Sequence, residues 1–287
     1  MNEMQSKLLD MMKWFHGYCE ENGLRYYALG GTALGAVRHG GFIPWDDDLD
    51  VGMPRADYDR MITLCKNGTG NTRLRALARE ALSMVAPGGR RCQAPGQNRD
   101  FIYPFCKAYD TETTLVENAR IKAKRGVYID IFPLDGIGNT KEESEKNYRR
   151  INRDISLLNT KICALRRGGR PFRNFFIIIG RMIPDFLVSR DGLIRKINRK
   201  AAAKPYDEYP YVANLFGEWK ANEIAERECF GTPTLCKFED TEIYIPEQSD
   251  RYLTSLYGDW RKLPPEDKRV THHDYVALDL NRSYLED

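Results

Sequence analysis

The chain has 287 residues, enough for one large domain or two small ones. A hydrophobic content of 42%, with 16 Tyr and 12 Phe, excludes a disordered chain, and a net charge of +3 gives no ground for a broad polyanion-binding role. Seven scattered cysteines (Cys19, Cys65, Cys92, Cys106, Cys163, Cys229 and Cys236), odd in number and without a C-x-x-C pair, fit buried thiols in a reducing cytoplasm better than disulfides or a structural zinc.

From the N-terminus, Met4, Leu8, Met11, Phe15 and Tyr18 form one stripe at helical spacing that stops near Gly23. Glu3, Asp10, Glu20 and Glu21 interrupt any apolar run of the kind a signal peptide needs. Leu24 to Leu29 suits a short strand. Thr32 to His39 follows the Gly30-Gly31 pair as a helix capped by Thr32. Gly40, Gly41 and Pro44 mark a loop. Asp48 to Met53 alternates like a strand, and Pro54 opens a helix to about Lys66. Residues 74 to 84 carry a helical patch, and 86 to 100 read as a loop or insertion. Strands are expected over 101 to 109 and 126 to 134, mainly helix over 140 to 230, a strand at 241 to 245 and a last helix near 249 to 258. The most apolar run, 175 to 180, is too short to span a bilayer, so a soluble protein is expected. This order predicts an α+β (mixed α/β) catalytic core over 1 to 140 and a mainly helical portion over 141 to 287.

The informative segment runs from Leu29 to Arg55. Residues two apart on a strand share a face, so Asp48 and Asp50 converge while Leu49, Val51 and Met53 turn to the core. Two carboxylates on one face repel unless a cation neutralises them, and hard oxygen ligands suit Mg²⁺ or Mn²⁺. A solvated acidic turn or a calcium loop is the bland alternative. Gly30 and Gly31 weigh against it, because glycines at a strand-to-helix turn let backbone N–H groups approach a phosphate. Asp130 is the single carboxylate in an apolar strand, where burial is costly without a partner, and the metal at Asp48 and Asp50 is the expected partner. Asp135, after Pro133 and Leu134, reads as a turn residue.

These residues carry a family resemblance. The run from Gly30 to Arg55 resembles the signature of the LicD family, which includes bacterial phosphocholine transferases and is related to fukutin and fukutin-related protein. Similar runs follow at Tyr128 to Gly136, Phe238 to Pro246 and Tyr257 to Trp260. The resemblance implies a nucleotidyltransferase-like fold. It assigns Asp48 and Asp50 to the metal-binding pair and Asp130 to the third carboxylate; strand alternation adds Asp46 to their face if the strand begins early and turns Asp47 away. It also implies a CDP-linked donor such as CDP-choline, a glycan or lipid-linked glycan acceptor of the lipopolysaccharide or teichoic acid kind, and release of CMP. Catalysis is then assigned to Asp48, Asp50 and Asp130, and substrate binding to Gly30, Gly31, Thr32, Arg38 and Lys107, with the two cations on phosphates. His39 as a base, His272 and His273 closing over the site, and Trp45 stacking on a base are weaker assignments than loop, surface and packing roles. A nucleotidyltransferase releasing pyrophosphate and a non-catalytic nucleotide- or glycan-binding protein are the competing readings.

One further stretch stands apart. Residues 161 to 200 hold eleven Lys/Arg against Asp185 and Asp191, interleaved with Phe and Ile. It fits either an amphipathic core helix with a basic outer face or a helix lying on a membrane surface. The second reading predicts a cytoplasmic protein held peripherally at the inner membrane face.

Overall fold

A computed structural model describes residues 1–67, 84–86, 90–95, 101–165, 171–271 and 275–286. The first helix, α1 (Glu3–Asn22), is capped by Asn2, whose side chain accepts from the Gln5 N–H while Gln5 returns the bond; it ends at Gly23. Its apolar stripe buries Leu8, Met11, Met12 and Phe15. Strand β1 (Tyr27–Ala28) is shorter than expected, because Leu24 to Tyr26 join no ladder, although Leu24 and Tyr26 are buried. Helix α2 spans Gly30–His39 and its N-cap is Leu29, not Thr32. Thr32 lies inside the helix, and its hydroxyl instead accepts the Asp50 N–H at 2.8 Å.

Strand β2 (Asp50–Pro54) and helix α3 (Arg55–Asn67) follow. Proline therefore closes the strand rather than opening the helix. The loop expected over 86 to 100 is corrected in part. A hairpin of β3 (Met84–Ala86) and β4 (Arg90–Gln93) extends the sheet there, paired through backbone bonds that leave no alternating apolar signature. The rest of the helical patch expected over 74 to 84 lies outside the described residues.

Strands β5 (Cys106–Asp110), β6 (Thr114–Glu117) and β7 (Tyr128–Gly138) come next. Helices α4 (Lys141–Ile162), α5 (Pro171–Met182) and α6 (Arg190–Ala201) are the helices expected after residue 140. Two short strands in that region were not expected, β8 (Tyr211–Asn214) and β9 (Ile224–Glu226). After α7 (Arg227–Phe230), β10 (Thr234–Phe238) and β11 (Thr241–Ile245) form a hairpin, α8 (Ser249–Tyr257) packs behind α2, and β12 (Tyr275–Asp279) pairs with β6.

The fold is α+β. Its main sheet runs β1-β2-β7-β5-β4-β3, with β8 on the far half of β7 and β9 beyond it. The pair β2 and β7 is parallel and the other pairs are antiparallel. One core gathers α1, α2, α8 and the sheet, and a second joins α4 and α6 to β7 and β8 through Ile137, Tyr148, Leu158, Leu193 and Ile197.

Candidate active site

Parallel pairing of β2 with β7 sets Asp50 beside Asp130, and antiparallel pairing of β5 with β7 sets Lys107 beside Asp130. Cross-strand partners share a face, so Asp50, Asp130 and Lys107 form a row across three strands. Asp48 stands two residues before Asp50, and Leu49 already accepts the Asp130 N–H at 2.9 Å. Leu49, Val51 and Met53 are buried behind the row, as their alternation predicts.

The acidic loop before β2 is anchored from other elements. The buried Gln5 amide of α1 donates to the carbonyls of Asp46 at 2.9 Å and Ile43 at 3.3 Å. Glu239 accepts the Phe42 N–H at 3.0 Å. Gly31 leaves room for the acidic loop at the start of α2, since a Cβ there would stand 2.7 Å from Asp46 Oδ2.

Asp46, Asp48, Asp50 and Asp130 line one cavity of about 410 Å³ together with Gly30 and Gly31. Asp47 is not part of this lining, and it accepts the Tyr275 hydroxyl at 3.1 Å. Desolvation, then the charges of Asp48, Asp130 and Asp46, raise the Asp50 carboxyl well above the usual range. Desolvation also pushes Asp130 up to about 6 against the opposing pull of Lys107. A larger cleft of about 660 Å³ between α3 and α6 has no such convergence of acids.

Asp130 also has a partner within the fold that the sequence reading, with its expected metal at Asp48 and Asp50, did not anticipate. Lys107 Nζ lies 2.8 Å from Asp130 Oδ1 and 3.6 Å from Glu117 Oε1, with only 2% of its side chain exposed. Its ammonium sits over the rings of Tyr128 at 3.5 Å and Tyr103 at 4.3 Å from their centroids. Although burial works in the other direction, Lys107 and the hydroxyls of Tyr103 and Tyr128 hold Glu117 below its ordinary value. Hard carboxylate oxygens at Asp48 and Asp50 suit a divalent cation, and one would relieve the repulsion that lifts Asp50. Among the described residues, no three His, Cys, Asp or Glu side chains already stand at the spacing of a metal site.

Residues 23–155 match the family described as LicD/FKTN/FKRP, nucleotidyltransferase domain. They form a LicD-family domain. The similarity reaches beyond it. The Lipopolysaccharide cholinephosphotransferase LicD of Haemophilus influenzae is 28% identical over 284 residues, 98% of each chain. Two local matches are shorter. An uncharacterized protein of Rickettsia prowazekii is 48% identical over 50 residues, 17% of this chain and 19% of that one. The human Ribitol 5-phosphate transferase FKRP is 46% identical over 46 residues, 16% of this chain and 9% of that one. The chain is an enzyme that transfers phosphorus-containing groups.

In this LicD-family site, the structure places the sequence-selected residues unequally. Asp48, Asp50, Asp130, Gly30 and Gly31 come together at the cavity. Thr32 acts from behind through the Asp50 backbone. Lys107 and Arg38 are not among the lining residues; Arg38 donates to the Trp260 carbonyl at 2.8 Å and to His39 Nε2 at 3.0 Å. Trp45 does line the cavity and packs against the core. His272 and His273 lie outside the described residues. Asp135 is no turn residue. It sits fully buried within β7, where its carboxylate accepts two bonds of 2.7 Å from the Arg55 guanidinium.

The part of the cavity wall that lies outside residues 23–155 was missed from sequence. Phe216, Trp219, Glu223 and Tyr257 belong to it, with the Trp219 and Tyr257 rings edge-on at 4.8 Å. Glu223 is buried and accepts the Trp219 N–H at 3.3 Å. Gly217 makes room for it, since a Cβ there would fall 2.1 Å from Glu223 Oε1. Of these residues, only Tyr257 falls in a run that the resemblance marked.

Burial, with a smaller contribution from Glu218, pushes the Glu223 carboxyl up from 4.5 to about 7. A raised folded value means that its stabilising contribution is complete below about pH 4.5 and is lost as pH rises through 7. That shift corresponds to about 3 kcal/mol. Glu223→Gln, which does not titrate, is therefore expected to melt above the wild type at pH 8, with the gap closing toward pH 4.5. Melting temperatures of both proteins across that range check this, and a gap independent of pH would refute it.

Proposed function

We propose that this enzyme moves a phospho-substituted alcohol, phosphocholine or a close relative, from a CDP-linked donor to a glycan hydroxyl and releases CMP. The observation that carries the reading is the convergence of Asp46, Asp48, Asp50 and Asp130 on one cavity at the start of α2. Similarity to a lipopolysaccharide cholinephosphotransferase along the whole chain supports the donor and acceptor classes.

Phosphoryl transfer depends chiefly on positioning and on stabilising charge. The acceptor oxygen attacks the phosphorus distal to the cytidine. The bond from that phosphorus to the bridging oxygen breaks, and CMP leaves with its electrons. Asp130, whose carboxyl desolvation pushes up to about 6 and which Lys107 orients, is placed to take the hydroxyl proton. Asp48 and Asp50, with Asp46 beside them, are the residues that would hold Mg²⁺ or Mn²⁺. Such an ion, when bound, neutralises the diphosphate.

The aromatic wall supports an ammonium-bearing alcohol over a polyol. A quaternary or primary ammonium is attracted to the aromatic rings of Trp219, Tyr257 and Phe216, and its charge would favour the ionised form of Glu223 that burial otherwise opposes.

The test is a thermal-shift series with CDP-choline, CDP-ethanolamine, CDP-ribitol and CDP-glycerol, each with and without Mg²⁺, followed by product analysis on a glycan acceptor. A donor at about 100 times its Kd adds about 2.7 kcal/mol of apparent stability. The expected result is metal-dependent stabilisation by an ammonium donor and formation of CMP. Pyrophosphate as product, or no response to any CDP donor, would replace this reading.

A further inference from the structure

Helix α5 presents an apolar face to solvent. Phe172, Phe175, Phe176 and Ile179 fall at i, i+3, i+4 and i+7, so they share one side of the helix. Met182 closes the helix and Phe186 and Leu187 follow in the turn after it, all exposed, and exposure ranges from 44% at Ile179 to 86% at Phe186. The inner side is accounted for separately. Ile177 is buried, and Gly180 lets the helix approach α4 so closely that a Cβ would fall 2.1 Å from Thr160 Oγ1. The exposed face is therefore a second face, not a core face waiting for α4. A contiguous patch of large apolar side chains of this kind marks a binding surface.

Cations adjoin it. Arg181 near the end of α5 donates to the Cys163 carbonyl, and the exposed Arg120 and Lys122 lie on the loop that crosses the end of α4, where Arg120 N–H bonds the Ile162 carbonyl at 3.0 Å. Asp185, in the turn after α5, is already paired with Lys161 at 3.0 Å. An apolar face edged by guanidinium and ammonium groups complements a surface with an oily interior and anionic headgroups. A second copy would instead bring like charges together. The helix is 12 residues long, and no described helix is long and apolar enough to cross a membrane. It is suited to lie in an interface rather than to span it.

We propose that α5 and the turn after it form an anionic-lipid-binding surface that docks the enzyme on a bilayer. This goes beyond the proposed transfer reaction and does not depend on it.

The purified full chain is sedimented with vesicles of phosphatidylcholine alone and of phosphatidylcholine with phosphatidylglycerol, without nucleotide. Binding to the anionic vesicles at low salt, reduced at high salt, is expected. The double variant Phe175→Ser/Phe176→Ser should bind on the order of tenfold more weakly or worse, at an unchanged melting temperature because both side chains are exposed. Arg120→Glu/Lys122→Glu should lower binding to the anionic vesicles only. Equal binding to neutral and anionic vesicles, or binding to neither, overturns the proposal. So does undiminished binding by the phenylalanine variant, or a lipid-free dimer that this variant disperses.

Discussion

Asp48→Asn and Asp50→Asn are each expected to abolish transfer, by on the order of 10³-fold or more, a loss of roughly 4 kcal/mol in transition-state stabilisation. Asparagine keeps the shape of the side chain and removes one charge from the cavity wall. The same change at Asp50 should raise the melting temperature of protein kept in chelator at neutral pH. There, desolvation and the charges of Asp48, Asp130 and Asp46 oppose ionisation of Asp50. The sign follows from the raised carboxyl: its contribution is lost as pH rises, so a residue that never ionises is favoured at high pH. Asp47→Asn is the internal control. Its carboxylate accepts the Tyr275 hydroxyl outside the cavity lining, and an asparagine oxygen can accept the same bond. Transfer rates and metal-free melting curves for the three variants decide the matter. Full activity in either Asp48→Asn or Asp50→Asn would remove the proposed site.

Asp135→Ala should be among the most destabilising single changes in the protein, by about 3–5 kcal/mol. Arg55 opens α3 and Asp135 lies in β7, so their two 2.7 Å bonds fasten helix to sheet. Asp135 is fully buried and the Arg55 side chain is 10% exposed. Truncating the acid leaves a guanidinium in low dielectric with Asp59, at 3.8 Å and largely exposed, and the Tyr58 ring, 5.2 Å to its centroid, as weak compensation. Chemical denaturation of Asp135→Ala and of the double variant Arg55→Met/Asp135→Leu measures both parts. The double variant should recover much of the loss, because the expensive state is the unpaired charge. A loss of under 1 kcal/mol in Asp135→Ala would show that water reaches the pair.

Local periodicity settled a good part of this protein. The stripe of α1 and its stop at Gly23, the burial of Leu49, Val51 and Met53 behind the acids, and the strand bearing Asp130 all follow from side-chain spacing along one element. Alternation over Asp48 to Met53 anticipated that Asp48 and Asp50 would meet at one cavity, although β2 itself begins at Asp50 and Asp48 stands in the loop before it. Who the neighbours are was decided by the tertiary structure. The register of β2 and β5 against β7 placed Asp50 and Lys107 on either side of Asp130, and so gave that acid a lysine partner that no local pattern showed. Folding the β8–β9 segment onto the sheet brought Glu223 and Trp219 to the acidic cavity, and pairing with Arg55 turned Asp135 from an apparent turn residue into a buried tether. The same limit applies to α5, whose pattern announced an apolar face but not that this face would stay in solvent. Amphipathic spacing records that a surface avoids water; the partner that covers it is a property of long-range packing, which no local window of sequence contains.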